Sequence, residues 1–147
     1  MNIDINHLPQ PERRFLEKAL RIRKRPAEHK VFVYGTLLTG EGNAHRAGTA
    51  RRQRAWITGT LYDTGWGFPA FVKTGETHIV GEVLTANDEQ FRSMDRLEGY
   101  PSLYRREQIQ VNLAGGGRVL AWVYILNRLP ETATVIAGGD WRKRDQG

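Results

Sequence analysis

The segment Arg118–Tyr124 constrains the fold more than any other. Val119, Ala121 and Val123 fall on one face of an extended strand, and Leu120, Trp122 and Tyr124 fall on the other. Side chains alternate between faces with period two, so apolar residues on both faces need cover on both sides. Such a strand belongs to a sheet that curls on itself or is covered by helices. The chain from Val31 onward reads mainly as β. Further candidate strands are Lys30–Tyr34, Ala55–Tyr62, Ala70–Lys73, Ile79–Leu84 and Tyr104–Leu113, and Gly115-Gly116-Gly117 reads as a hairpin loop. One clear helix interrupts them, at about Asn87–Leu97. Asn87 or Asp88 is placed to cap it, and Phe91, Met94 and Leu97 recur at three-residue spacing. The fold class is α+β.

Residues 1–30 read as a basic helical extension ahead of a domain spanning 31–147. Glu12 to Arg23 is amphipathic, and Pro26 ends it by removing an N–H and clashing with the preceding turn. The net charge of the chain is +6, and the extension holds eight Lys/Arg against four Asp/Glu. The excess basicity therefore sits mostly outside the domain. A solvated helix face explains it, and a nucleic-acid-binding barrel is the weakest of the competing function classes.

Composition removes other classes. The 147 residues contain no cysteine, which excludes thiol catalysis, disulfides and Cys-type zinc sites. The four His, at 7, 29, 45 and 78, form no pair at metal-ligand spacing, so no metal site is expected. No apolar run approaches the roughly 20 residues that span a bilayer. Met1–Gln10 lacks the pattern of a secretory signal, and the expected location is cytoplasmic, with no membrane partner.

Two segments carry chemistry. Val31-Phe32-Val33-Tyr34 runs into Gly35-Thr36-Leu37. A strand that breaks at glycine can turn with unusual dihedrals and present bare N–H groups to an anion. No Gly-x-Gly-x-x-Gly or Walker-type Lys follows, so the loop does not suit a nucleotide. By itself it also reads as a strand ending in an ordinary turn. The second segment is Met94-Asp95-Arg96-Leu97-Glu98-Gly99-Tyr100-Pro101. Asp95 and Glu98 lie on one side of a helix turn that Gly99 and Pro101 close. A carboxylate beside Tyr100 and Tyr104, partly buried, becomes a better base near neutral pH. The same residues also read as a solvated face on which Arg96 balances charge.

Together the two segments, with Gly81-Glu82-Val83, Leu103-Tyr104-Arg105-Arg106 and a Gly-Asp-Trp-Arg tail at 139–142, resemble the γ-glutamylcyclotransferase-like family. The branch is the one that contains γ-glutamylamine cyclotransferase and the AIG2-like proteins. The resemblance runs from about Val31 to Arg144. It implies a small mixed β-barrel with flanking helices. It also implies cleavage of a γ-glutamyl amide by internal cyclisation, releasing 5-oxoproline and a free amine, without a cofactor. The family's catalytic glutamate falls on Glu98. Its substrate-cradling loop falls on Tyr34, Gly35, Thr36 and Leu37, and two further family tyrosines fall on Tyr104 and Tyr124. Relatives often place Asn and His side by side after the loop; here Ala44 separates Asn43 from His45, which favours a structural role for His45. The alternative to an enzyme is a non-catalytic small-molecule binding module on the same fold.

Three further features have a bland and a functional reading. Gly65-Trp66-Gly67-Phe68-Pro69-Ala70 is a loop able to wall a pocket. Glu82 inside a strand pattern reads more readily as outward-facing than as a second candidate acid. Arg105-Arg106 reads as strand surface or as an attractor for an acidic leaving group. The amine half of the substrate and the oligomeric state are not legible in the sequence.

Overall fold

A computed structural model describes residues 11–12, 14–16, 18 and 27–146 of the chain. The expected helix over Glu12–Arg23 falls largely outside the described residues. Residues 27–146 form six strands, one α-helix and two 3-10 turns, Ala44–Ala47 and Trp141–Gln146; the strands and helix are β1 (His29–Val33), β2 (Arg51–Asp63), β3 (Pro69–Ala86), α1 (Asp88–Leu97), β4 (Tyr104–Leu113), β5 (Arg118–Leu126) and β6 (Thr134–Val135). The order β3-β1-β5-β4-β2 closes because β2 also pairs with β3. The result is a closed five-stranded mixed barrel, with β6 appended to β2. The pair β1–β5 is parallel and the others are antiparallel.

Closure answers the two-faced strand. Ala121 and Val123 of β5 are buried among Phe32, Leu61, Ile79, Val83 and Val111. The other face is covered by α1, whose Phe91 ring lies 6.2 Å from that of Trp122. Leu120, beyond the reach of the helix, is exposed. The runs Ala70–Lys73 and Ile79–Leu84 belong to one strand, β3, rather than two. Both pair with β2, but Gly59 faces Thr77 and the next residue, Thr60, faces Val72. The residues in between bulge out of the ladder, polar and exposed, and Thr60 Oγ1 donates to the Thr74 carbonyl at 2.7 Å. That polar insert is what makes the sequence look like two strands.

Helix α1 is fixed at both ends. Asn87 accepts from the Gln90 N–H, and the Gln90 side chain accepts from the Asn87 N–H, a reciprocal capping box. At the other end Gly99 takes a φ of 62°, the left-handed region that suits glycine. Tyr100 N–H then bonds to Asp95 O and Gly99 N–H to Arg96 O, completing a Schellman stop. Glu98 is the C-cap residue of this stop. Its backbone direction is therefore set by the glycine that follows it.

Candidate active site

The glycine-ended strand and the helix end meet at one mouth of the barrel. They enclose a pocket of about 340 Å³, open mouth included. Tyr34, Gly35, Thr36 and Leu37 line it on one side. Glu98, Tyr104 and Tyr124 line it on the other. All seven residues singled out in the sequence thus face one space. Phe32 and Val33, at the end of β1, and Phe68 and Pro69, at the start of β3, complete the walls.

The loop after β1 is held from below. Leu38 N–H bonds to Gly35 O and Asn43 N–H to Thr36 O, which closes the turn. Glu82 accepts from Thr39 N–H and Thr39 Oγ1, each at 2.7 Å, and from Arg52 at 2.9 Å. Arg52 in turn donates to the carbonyls of Leu37 and Ala44. Burial alone would raise the Glu82 pKa, but the Thr39 and Arg52 contacts outweigh it and hold the carboxyl below its usual range. Glu82 therefore lies on the outer face of the barrel, as the outward reading expects, but the loop covers it, so it is buried and is not a plain surface residue. It is an ionised anchor for the loop and lies outside the pocket. A single Glu in an alternating strand gives no sign of its partner, because Arg52 lies on another strand.

Gly35 is needed for a reason other than unusual dihedrals. Its φ lies outside the left-handed region. A Cβ there would come within 2.6 Å of the Pro69 ring, far inside van der Waals contact. No turn, loop or side-chain acceptor among the described residues takes the N–H groups of Gly35, Thr36 or Leu37. They are unpartnered at residues that line the pocket, which leaves them open to a ligand.

The opposite wall is a carboxyl among tyrosines. Glu98 titrates at about 7, raised by burial, with no resolved offset from a cation or donor. Its charge opposes ionisation of Tyr34, Tyr104 and Tyr124, whose pKa values are raised chiefly by burial. Each hydroxyl is tied to the protein. Tyr34 donates to the Tyr124 carbonyl at 2.5 Å, Tyr104 to the Pro69 carbonyl at 2.7 Å, and Tyr124 to Asp95 Oδ1 at 2.6 Å. Asp95 also receives Arg106 Nε at 3.0 Å and Nη2 at 3.2 Å. The Arg106 guanidinium lies between 4.2 and 4.5 Å from the ring centroids of Phe91, Tyr100 and Trp122. Asp95 and Glu98 thus have opposite surroundings despite sharing a helix turn. One is paired with arginine, and the other is left alone with aromatic rings.

The remaining candidates separate. Phe68 and Pro69 of the 65–70 loop wall the pocket, while Trp66 is exposed beside Phe68. His45 sits exposed in a 3-10 turn, Ala44–Ala47, away from the pocket. Arg105 is exposed, whereas Arg106 is packed against the rings that cover β5. No group of three or more His, Asp or Glu among the described residues is arranged to hold a metal ion. No helix among the described residues is long and apolar enough to cross a membrane.

Comparison with known proteins decides the family. The model described as "Gamma-glutamyl cyclotransferase, AIG2-like" matches residues 31–143, from within β1 past β6, with the pocket residues included. The chain belongs to this family. A γ-L-glutamyl-butirosin B γ-glutamyl cyclotransferase from Niallia circulans is 34% identical over 121 residues, 77% of this chain and 75% of that protein. An AIG2-like protein from Mus musculus superposes with a TM-score of 0.60 at 27% identity, covering 68% of this chain and 78% of that one. YkqA from Bacillus subtilis gives a TM-score of 0.65 at 27% identity, over 82% of this chain and 42% of that longer chain. The expected barrel and the expected family are both found.

Proposed function

We propose that this γ-glutamylcyclotransferase family member cleaves γ-glutamylamines, releasing 5-oxoproline and a free amine, with Glu98 as general acid and base. One observation carries the reading: a buried carboxyl pushed up to about 7 shares a pocket with a loop whose N–H groups have no partner among the described residues. In a γ-glutamyl amide the α-nitrogen and γ-carbonyl are tethered, and attack closes a five-membered ring. Well-oriented intramolecular attack has effective molarities of order 10⁵ M or more, so the site's first task is to hold the folded conformer.

The second task is the proton. An α-ammonium has no lone pair. Glu98, ionised, takes one of its protons, and the freed amine attacks the γ-carbon. The loop amides of Gly35–Leu37 receive the developing oxyanion or the α-carboxylate; one such donor at an oxyanion is worth roughly 3 kcal/mol. Glu98 then gives its proton to the departing nitrogen as the amide C–N bond breaks. The ring nitrogen still carries an extra proton. Glu98 takes that one too and passes it to the free amine, which leaves as an ammonium ion. A pKa near 7 suits a group that both takes and gives protons near neutral pH.

The relatives support γ-glutamyl chemistry, and the Niallia circulans relative is named for γ-L-glutamyl-butirosin B. The test is incubation with a panel of γ-glutamylamines and chromatographic detection of 5-oxoproline. Release from at least one of them, lost in Glu98→Gln, is expected. Ligand binding without release across the panel favours the binding-module alternative.

A further inference from the structure

Asp95 takes no part in the chemistry described above, yet it holds the proton of a pocket-lining hydroxyl. Tyr124 donates to it at 2.6 Å, and the Arg106 pair fixes the carboxylate as an acceptor. Tyr34 and Tyr104 are likewise committed, to the carbonyls of Tyr124 and Pro69. A hydroxyl has one proton and two lone pairs. With every proton drawn away, these hydroxyls have only lone pairs left to offer a ligand. Ionised Glu98 is also acceptor-only. The facing loop offers the unpartnered N–H groups of Gly35, Thr36 and Leu37, and the Thr36 hydroxyl, which accepts from Asn43 Nδ2 at 3.1 Å, keeps its own proton to donate. The two walls are therefore opposite in hydrogen-bonding sense, and a ligand spanning them must be a donor at one end and an acceptor at the other.

We propose that Asp95 is a positioning residue that makes Tyr124 an acceptor for the substrate's α-nitrogen, so that the pocket selects a free α-amine and leaves its lone pair unquenched. This rests on the γ-glutamyl reading and deepens it. The reasoning concerns the nucleophile. Once Glu98 has taken a proton, the amine has two N–H bonds and one lone pair. Acceptors around it hold the N–H bonds and leave the lone pair to aim at the γ-carbon. A hydroxyl free to rotate would donate to that lone pair and block it. Asp95 removes that freedom from Tyr124, and the two Arg106 hydrogen bonds hold Asp95 in place.

The experiment measures binding by calorimetry in a Glu98→Gln parent, which does not turn over on the present reading. Two ligands are compared, a γ-glutamyl alkylamide and the matching glutaric acid monoamide, which lacks only the α-amine. The parent should prefer the amino ligand. Tyr124→Phe and Asp95→Asn should each reduce that preference by about ten-fold, the worth of one hydrogen bond to a charged group, and leave the monoamide's affinity unchanged. Tyr124→Phe keeps the packing, so it carries the test if Asp95→Asn fails to fold. Equal weakening of both ligands would mean a purely structural role and overturn the proposal. An unchanged preference, or none in the parent, would overturn it as well. If neither ligand binds the parent, the γ-glutamyl reading itself fails and this proposal with it.

Discussion

Glu98→Gln should abolish activity and, at high pH, stabilise the fold. The carboxyl titrates at about 7 in the folded chain against an ordinary 4.5, and burial is the cause. A pH unit of displacement is worth about 1.4 kcal/mol, so holding the ionised form in the pocket costs about 3 kcal/mol. The sign follows from proton binding. The folded chain holds this proton more tightly than the unfolded chain. Below 4.5 the group is neutral in both states and the cost is absent. Between 4.5 and about 7 stability falls as pH rises, and above about 7 the full cost is present. An amide in this position never ionises and escapes the cost. For a chain of this size about 3 °C in Tm accompanies each kcal/mol, so the variant should melt up to about 10 °C higher at about pH 9 and at the parent's Tm at about pH 4. Thermal unfolding followed by circular dichroism at the two pH values measures the difference. A variant no more stable than the parent at the higher pH, or a gap that does not change with pH, would refute the reasoning. Glu98 would then be adequately solvated and of ordinary acidity.

Other perturbations follow from the same contacts. Arg52→Ala strands the buried, ionised Glu82 and releases the Leu37 and Ala44 carbonyls; a loss of about 3 kcal/mol is expected in urea unfolding. Gly35→Ala drives a methyl into the Pro69 ring. Displacing the loop by even a fraction of an ångström should cut kcat/KM by about ten-fold or more, with a smaller change in stability. Tyr104→Phe leaves the Pro69 carbonyl without its donor; about 1 kcal/mol of stability should go, and turnover should fall far less than in Glu98→Gln.

Local signals made much of the barrel legible. The alternation in Arg118–Tyr124 demanded cover on both faces, and closure with α1 outside provides it. Asn87 and Gly99 marked the ends of the helix because capping is a matter of adjacent residues. The seven candidate residues face one pocket because each motif carries its own backbone geometry to the end of a strand or helix. What was not legible depends on partners distant in sequence. Glu82 reads as a surface residue until Arg52 and Thr39 are placed around it. Arg106 reads as strand surface, yet three rings and Asp95 enclose it. Gly35 is expected to supply a special dihedral, whereas the approach of Pro69 is what excludes a side chain. β6 escapes notice because two residues on an edge carry no periodicity.

The most direct test of the central claim is the pH profile of kcat/KM for 5-oxoproline release from a γ-glutamylamine. With Glu98 as the proton acceptor, the rate should climb from about pH 5, reach half its plateau near 7 and vanish at every pH in Glu98→Gln. A rate independent of pH across that range, or a variant as fast as its parent, would contradict the claim.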